Sequence, residues 1–153
     1  MFTLTLALAA FSLGLLMLAG CSFAPKLERI GVVVKGISPS PSGTTVTLLF
    51  INPNNIPLVL PRTEHELTLD GAYMGVIKNH KPLGIPPLSA ITESIPLSDA
   101  VAKKIARAAS LHPGLAAYVI DSKLDLNWKD DIYSLKTSDR GSVNLAPSAV
   151  SAP

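Results

Sequence analysis

Through most of this chain apolar and polar positions alternate with a period of two, and proline, glycine and asparagine interrupt the alternation at intervals that suit strands and turns. Residues 44–52 are the plainest case. Thr44, Val46, Leu48 and Phe50 share one face, Thr45, Thr47, Leu49 and Ile51 the other, and both faces become apolar toward the end, which predicts a central strand. Residues 27–37, with Ile30, Val32, Val33, Val34 and Ile37, predict a first strand that ends at Ser38-Pro39-Ser40-Pro41-Ser42-Gly43. Asn52-Pro53-Asn54-Asn55 stops the central strand. The segment 56–61, Ile-Pro-Leu-Val-Leu-Pro, reads as an extended crossing rather than a regular strand. Residues 63–69 then alternate Thr63, His65, Leu67 and Leu69 against Glu64, Glu66 and Thr68, a half-buried strand that turns at Asp70-Gly71 and returns over 73–78.

Beyond this hairpin, residues 81–88 hold too many prolines for a sheet interior and predict a loop with its apolar side chains turned inward. Strand character resumes over 92–97. Ser98-Asp99 then starts a helix, with a hydroxyl or carboxylate available to its free N–H groups. Val101, Ile105, Ala108 and Ala109 recur at helical spacing, Lys103, Lys104 and Arg107 face outward, and Pro113-Gly114 ends the helix near Leu111. A long strand over 115–128 turns at Lys129-Asp130-Asp131 and returns over 132–137, resuming at 143–145. The whole pattern predicts a mainly β fold, an antiparallel seven-stranded sandwich of immunoglobulin or fibronectin III kind with one α-helix over an open end or edge.

The first twenty residues break this pattern. They are apolar and carry no Lys, Arg, Asp or Glu, and small residues precede Cys21, the sole cysteine of the chain. Leu18, Ala19, Gly20 and Cys21 resemble the lipobox of bacterial lipoproteins, which implies that the Cys21 thiol carries a diacylglyceryl group and the freed amine a further acyl chain. Two readings compete with it: roughly 18 apolar residues approach the lower limit for a membrane-spanning helix, and an ordinary signal peptide ends in a similar way. On the lipobox reading, residues 1–20 are a lipoprotein signal peptide and 21–26 a short tether. Residues 22–25 reach about 15 Å when extended, so the domain of residues 27–145 sits close to the bilayer and residues 146–153 form a disordered tail.

Charge narrows the function classes. A net charge of +2 lacks the basic stripe of a dedicated nucleic-acid binder. With Cys21 acylated, no thiol remains for a disulfide, so the hydrophobic core must hold the fold alone.

Within the sandwich, a strand that ends in Asn52, Pro53 and Asn54, the crossing through Ile56-Pro57-Leu58, a strand that reaches Asp70 and Gly71, and a Pro-rich loop before Thr92-Glu93-Ser94-Ile95-Pro96-Leu97 resemble the Water stress and Hypersensitive response (WHy) domain. That domain belongs to the type 2 late embryogenesis abundant (LEA) family and to bacterial lipoproteins. The resemblance implies a seven-stranded sandwich with one helix and a role in tolerance of desiccation, without catalysis.

Candidate chemistry is sparse. His65, His80 and His112 are far apart in sequence with no second cysteine or His-x-His to complete a metal set, Asp130-Asp131 lacks the ligand spacing of a calcium loop, and no nucleophile elbow or phosphate loop is present. The expectation is therefore no enzyme, no metal and no cofactor other than covalent lipid at Cys21. The expected role is stress protection in the bacterial envelope, on the periplasmic side of the outer membrane where a second membrane exists. The alternative is a module that binds an envelope protein or a lipid through the Pro-flanked apolar segments, with Ile56, Leu58, Leu60, Ile85 and Leu88 as its surface. The basic helix face of Lys103, Lys104 and Arg107 would add an attraction of roughly 1 kcal/mol per charge if it met an anionic bilayer.

Overall fold

A computed structural model of the protein describes residues 26–40, 43–129 and 131–145. The apolar leader, the Leu18 to Cys21 segment and the tail lie outside the described residues. Those described form eight strands and one helix: β1 Gly31–Ser40, β2 Gly43–Asn52, β3 Leu58–Leu69, β4 Ala72–Asn79, β5 Leu83–Ile85, β6 Ser89–Pro96, α1 Asp99–Leu111, β7 Leu115–Trp128 and β8 Asp131–Asn144. They make two antiparallel sheets, β1-β2-β6 and β4-β3-β7-β8, the second extended by β5 against β3. Inward residues of both, among them Val32, Leu48, Phe50, Leu67, Ile120 and Leu126, fill one core.

Three elements differ from the sequence expectation, each for a backbone reason. First, β1 runs on through Ser38, Pro39 and Ser40, which pair with Thr45, Thr44 and Gly43. Among the described residues no strand pairs with its other side, so a proline without an N–H is tolerated there. Second, the 56–61 crossing is in large part strand: Leu58, Val59 and Leu60 begin β3 and pair with Ile85, Gly84 and Leu83. Pro61 falls within the register shift between Val59 and Arg62, where a bulge removes the need for its N–H. The same pairing makes a short strand of 83–85, within the segment expected to be a loop, and raises the strand count from seven to eight. Third, β8 passes without interruption through Asp139, Arg140 and Gly141. A Cβ at Gly141 would stand 2.9 Å from the Tyr118 hydroxyl, so glycine there lets β8 pack under that ring.

Side chains seal the sandwich along β1 and β8. The free N–H groups of Val32 and Val34 donate to Asp139 Oδ2 at 2.8 Å and Tyr118 Oη at 3.2 Å, while Arg29 holds Asp139 Oδ1 at 2.6 Å. An exposed strand edge is thereby covered. At the helix, Ser98 occupies the N-cap with extended backbone but makes no side-chain cap bond, contrary to the sequence expectation. Docking holds α1 instead: Val101 and Ile105 are buried, and Gly75, at φ 141°, leaves the space that Val101 Cγ2 enters.

The opposite end is held by two asparagines. Asn52 Nδ2 donates to the carbonyls of Ile56 at 2.8 Å, Pro86 at 3.0 Å and Ile85 at 3.4 Å, and Asn52 Oδ1 accepts from Asn54 N at 3.0 Å and Asn54 Nδ2 at 3.1 Å. Asn54 Oδ1 in turn accepts from Glu28 N at 2.7 Å, Asn54 Nδ2 donates to Glu28 O at 3.2 Å, and Leu88 N donates to Asn54 O at 2.9 Å. One buried pair thus ties the entering chain, the β2–β3 crossing and the β5–β6 connection together.

In mid-core, His65 is fully buried between Thr63 and Ser122, with Nδ1 2.8 Å from Ser122 Oγ, Nε2 2.9 Å from Thr63 Oγ1, and Phe50 edge-on at 5.7 Å. Burial away from water pushes the imidazole down from 6.5 to about 4, so the ring is neutral, one nitrogen donating and the other accepting.

Replacing Asn52 by Ala strands several buried carbonyls and is expected to cost about 3 kcal/mol in urea unfolding, against less than about 0.5 kcal/mol for exposed Asn55→Ala; equal effects would contradict the role given to Asn52. Because the unfolded chain takes up a proton at His65 below about pH 6.5 while the folded chain resists until about pH 4, the His65 contribution is complete above pH 6.5 and is lost as pH falls toward 4. The wild type is expected to be about 2 kcal/mol less stable at pH 5 than at pH 7.5 through this group, a difference that His65→Gln removes.

Candidate functional site

The sandwich has two dissimilar ends, separated by the ten residues of β2, or about 30 Å at strand spacing. At one end lie α1, the Asp70-Gly71 turn and the start of β7. The other holds the Asn52 to Ile56 turn, the Pro86-Pro87-Leu88 connection and the turn between β7 and β8. The chain enters at this second end. Arg29 Nε donates to Thr137 Oγ1 at 2.7 Å and Glu28 is bonded to Asn54, which fixes the entering chain at this end.

Local backbone chemistry shapes both ends. Asp70 and Gly71 have φ of 47° and 79°, the conformation an Asp-Gly hairpin turn requires. Asp70 also binds outward: its N–H donates to Ala117 O and its Oδ1 accepts from Ala117 N, each at 2.8 Å, which fixes the start of β7. At the entry end Leu88 has φ 48°, a conformation uncommon for a branched residue. It is held there by its bond to Asn54 O and by Ser89 Oγ donating to Pro86 O at 2.8 Å.

The five residues considered as a partner surface do not form one. Leu58, Leu60 and Ile85 are core residues, at most 1% exposed, because the β3–β5 pairing turns them inward. Ile56 is partly buried against the core. Only Leu88, 72% exposed, faces solvent. Sequence reasoning missed three further exposed apolar residues of this end, Ile132 at 69%, Val59 at 45% and Ile51 at 37%, since each sits in a stretch whose alternation allowed either face. Asn52, Pro53 and Asn54 act structurally, and Cys21 with the rest of the lipobox lies outside the described residues.

Elsewhere the polar groups do not converge on a reactive centre. His65, Thr63 and Ser122 are sealed in the core, while His80 and His112 are exposed just beyond the ends of β4 and α1. Among the described residues no three His, Cys, Asp or Glu side chains are placed to hold a metal ion, and no helix is long and apolar enough to cross a membrane. The outer face of the larger sheet carries two charged cross-strand rows, Lys78, Glu64, Lys123 and Lys136 in one, and the acidic Glu66 and Asp121 with Ser138 in the next. A shallow groove runs between these side chains. A second, more apolar groove of ≈ 380 Å³ lies at the helix end between α1, Ile37, Thr44 and Leu145. Lys103, Lys104 and Arg107 belong to that same end, with Lys104 Nζ 5.6 Å from the Tyr73 ring centroid. The basic helix face is therefore remote from the point where the chain enters.

Comparison with known proteins gives a likeness of fold. No family description and no curated protein matches the sequence. The solution structure of a candidate late embryogenesis abundant protein, At2g46140.1, matches with a TM-score of 0.51 at 14% identity, covering 93% of this chain and 87% of that one. The Arabidopsis thaliana protein AT1g01470 gives 0.48 at 16% identity, covering 80% of this chain and 88% of that one. A crystal structure of an Archaeoglobus fulgidus protein gives 0.47 at 14% identity, covering 77% of this chain and 96% of that one. Eight antiparallel strands and a single helix among the described residues thus make a sandwich similar to that of the first of these, an LEA-like fold.

Proposed function

We propose that this chain is a non-catalytic lipoprotein of the bacterial envelope that protects the membrane and its neighbours as water is lost. One observation carries the reading: an LEA-like sandwich stands directly behind the sequence Leu-Ala-Gly-Cys, with four residues between Cys21 and Lys26. Acyl chains on Cys21 would hold the domain at the bilayer, and more than one chain makes such anchoring effectively permanent. Where an outer membrane exists, Ser22 after Cys21 is compatible with export to its periplasmic side.

The mechanism needs no reactive site, cofactor or metal. Copies concentrated at the membrane would present the two charged rows of the larger sheet, one mostly basic and the next acidic, which bind water and polar groups and together leave no strong net field. As bulk water is withdrawn, these faces and the volume of the sandwich itself would keep neighbouring surfaces apart. Regular strands pair most of the backbone, so the domain depends little on solvent for its own hydrogen bonds.

Anchoring and protection are tested separately. Cys21→Ala is expected to abolish incorporation of labelled palmitate; unchanged labelling would refute the lipobox. Cells lacking the gene are expected to survive drying less well than cells complemented with the wild type, and complementation with Cys21→Ala is expected to leave survival low. Indistinguishable survival of deleted and complemented strains would refute the protective role.

A further inference from the structure

Resting on the lipid-anchored reading, we infer that the entry end of the sandwich is itself a bilayer-docking face, with Leu88 and Ile132 inserted among the lipids and the helix end held away from the membrane. Residues 22–25 separate Cys21 from Lys26, a reach of about 15 Å, and the chain does not swing freely once it arrives. Glu28 exchanges two hydrogen bonds with Asn54, and Arg29 is fixed to Thr137 and Asp139. A lipid on Cys21 therefore pulls on a rigid end of the domain.

That end displays apolar side chains at opposite corners. Leu88 lies on the connection between β5 and β6, at the edge of the smaller sheet, and Ile132 near the start of β8, at the far edge of the larger one. They are 72% and 69% exposed. Leu88 is held outward in a left-handed backbone conformation by neighbours that are themselves fixed, and strain of this kind tends to mark a surface with a task. By sequence, Lys26, Lys81 and Lys129 of this end are matched by Glu28, Asp130 and Asp131, which leaves its charge near balance. Docking is thus apolar in origin and is expected to persist at high salt and without anionic lipid. Leu111 and Leu115 are as exposed, but they lie at the helix end and serve as the internal control.

The chain contains one tryptophan, Trp128, at the β7–β8 turn of the entry end, so its fluorescence reports on the contact without a label. The full-length lipidated protein would be reconstituted on phosphatidylcholine vesicles with ordinary or brominated acyl chains. Flotation measures anchoring, and quenching of Trp128 by bromine measures docking. The expected result is flotation with strong quenching. Replacing Leu88 and Ile132 together by Asp should restore most of the emission while flotation is unchanged, and replacing Leu111 and Leu115 by Asp should alter neither. Both pairs are exposed, and an unchanged thermal midpoint verifies that each variant is folded. A protein that floats but is not quenched overturns docking and leaves anchoring intact, as does equal quenching of the Leu88/Ile132 variant. If only the Leu111/Leu115 variant recovers emission, the helix end is the docking face and the inference is wrong. A protein that fails to float overturns the anchored reading and the docking with it.

Discussion

The entry end of this sandwich depends on the side chain of Asn52. Three irregular stretches meet there, and irregular backbone leaves carbonyls and N–H groups without ladder partners. The amide of Asn52 reaches three such carbonyls while its oxygen collects both donors of Asn54. Asn54 passes the connection on to Glu28 and Leu88. An aspartate of the same shape would bring a negative charge toward three carbonyl oxygens, and an apolar residue would leave them unpaired. An Asn at this position, with a second Asn two residues on, solves a hydrogen-bonding problem that few residue pairs solve. The Asn-Pro-Asn motif is thus accounted for by architecture, and no ligand need be invoked for it.

Much of the fold was legible in the chain because alternation and burial are the same fact seen twice. Val46, Leu48 and Phe50 read as one face and are buried as one face, and the span of β7 and the limits of α1 are those that period and proline position indicate. Proline was the weak signal. Pro61 and Pro39 suggested breaks, yet one lies in a bulge and the other on an outer strand, where the missing donor costs little. Whether a proline breaks a strand depends on its neighbours in the sheet, which local sequence does not encode. The same ignorance of partners concealed β5, although the inward turn of the apolar side chains of residues 81–88 was legible. Leu88 is the converse case: its outward display depends on a backbone conformation set by Asn54 and Pro86, residues distant from it or indifferent to its identity. His65 reads from sequence only as an isolated histidine, and its neutral, buried state became visible once Thr63 and Ser122 were placed around it.

The two ends give the domain a direction. Basic side chains on α1 seemed suited to an anionic membrane, but the antiparallel register carries them to the end away from the entering chain. In the proposed arrangement, about 30 Å of strand separates that helix from the lipid, several times the screening length at physiological salt. The helix and the groove beside it would then face the aqueous side, and the apolar corners of the entry end would face the bilayer. A protective protein of this shape would work as a standing layer of polar sandwiches rather than as a catalyst with a pocket.

The central claim is that the sandwich is held at a membrane by lipid on Cys21, and the most direct measurement is the intact mass of the mature protein isolated from envelope membranes, with fragmentation of its N-terminus. The account requires a chain that begins at Cys21 and carries a diacylglyceryl group on the thiol, with a further acyl chain on the amine where the host adds one. A chain that begins at Met1, or one that begins at Cys21 with a free thiol, would contradict it.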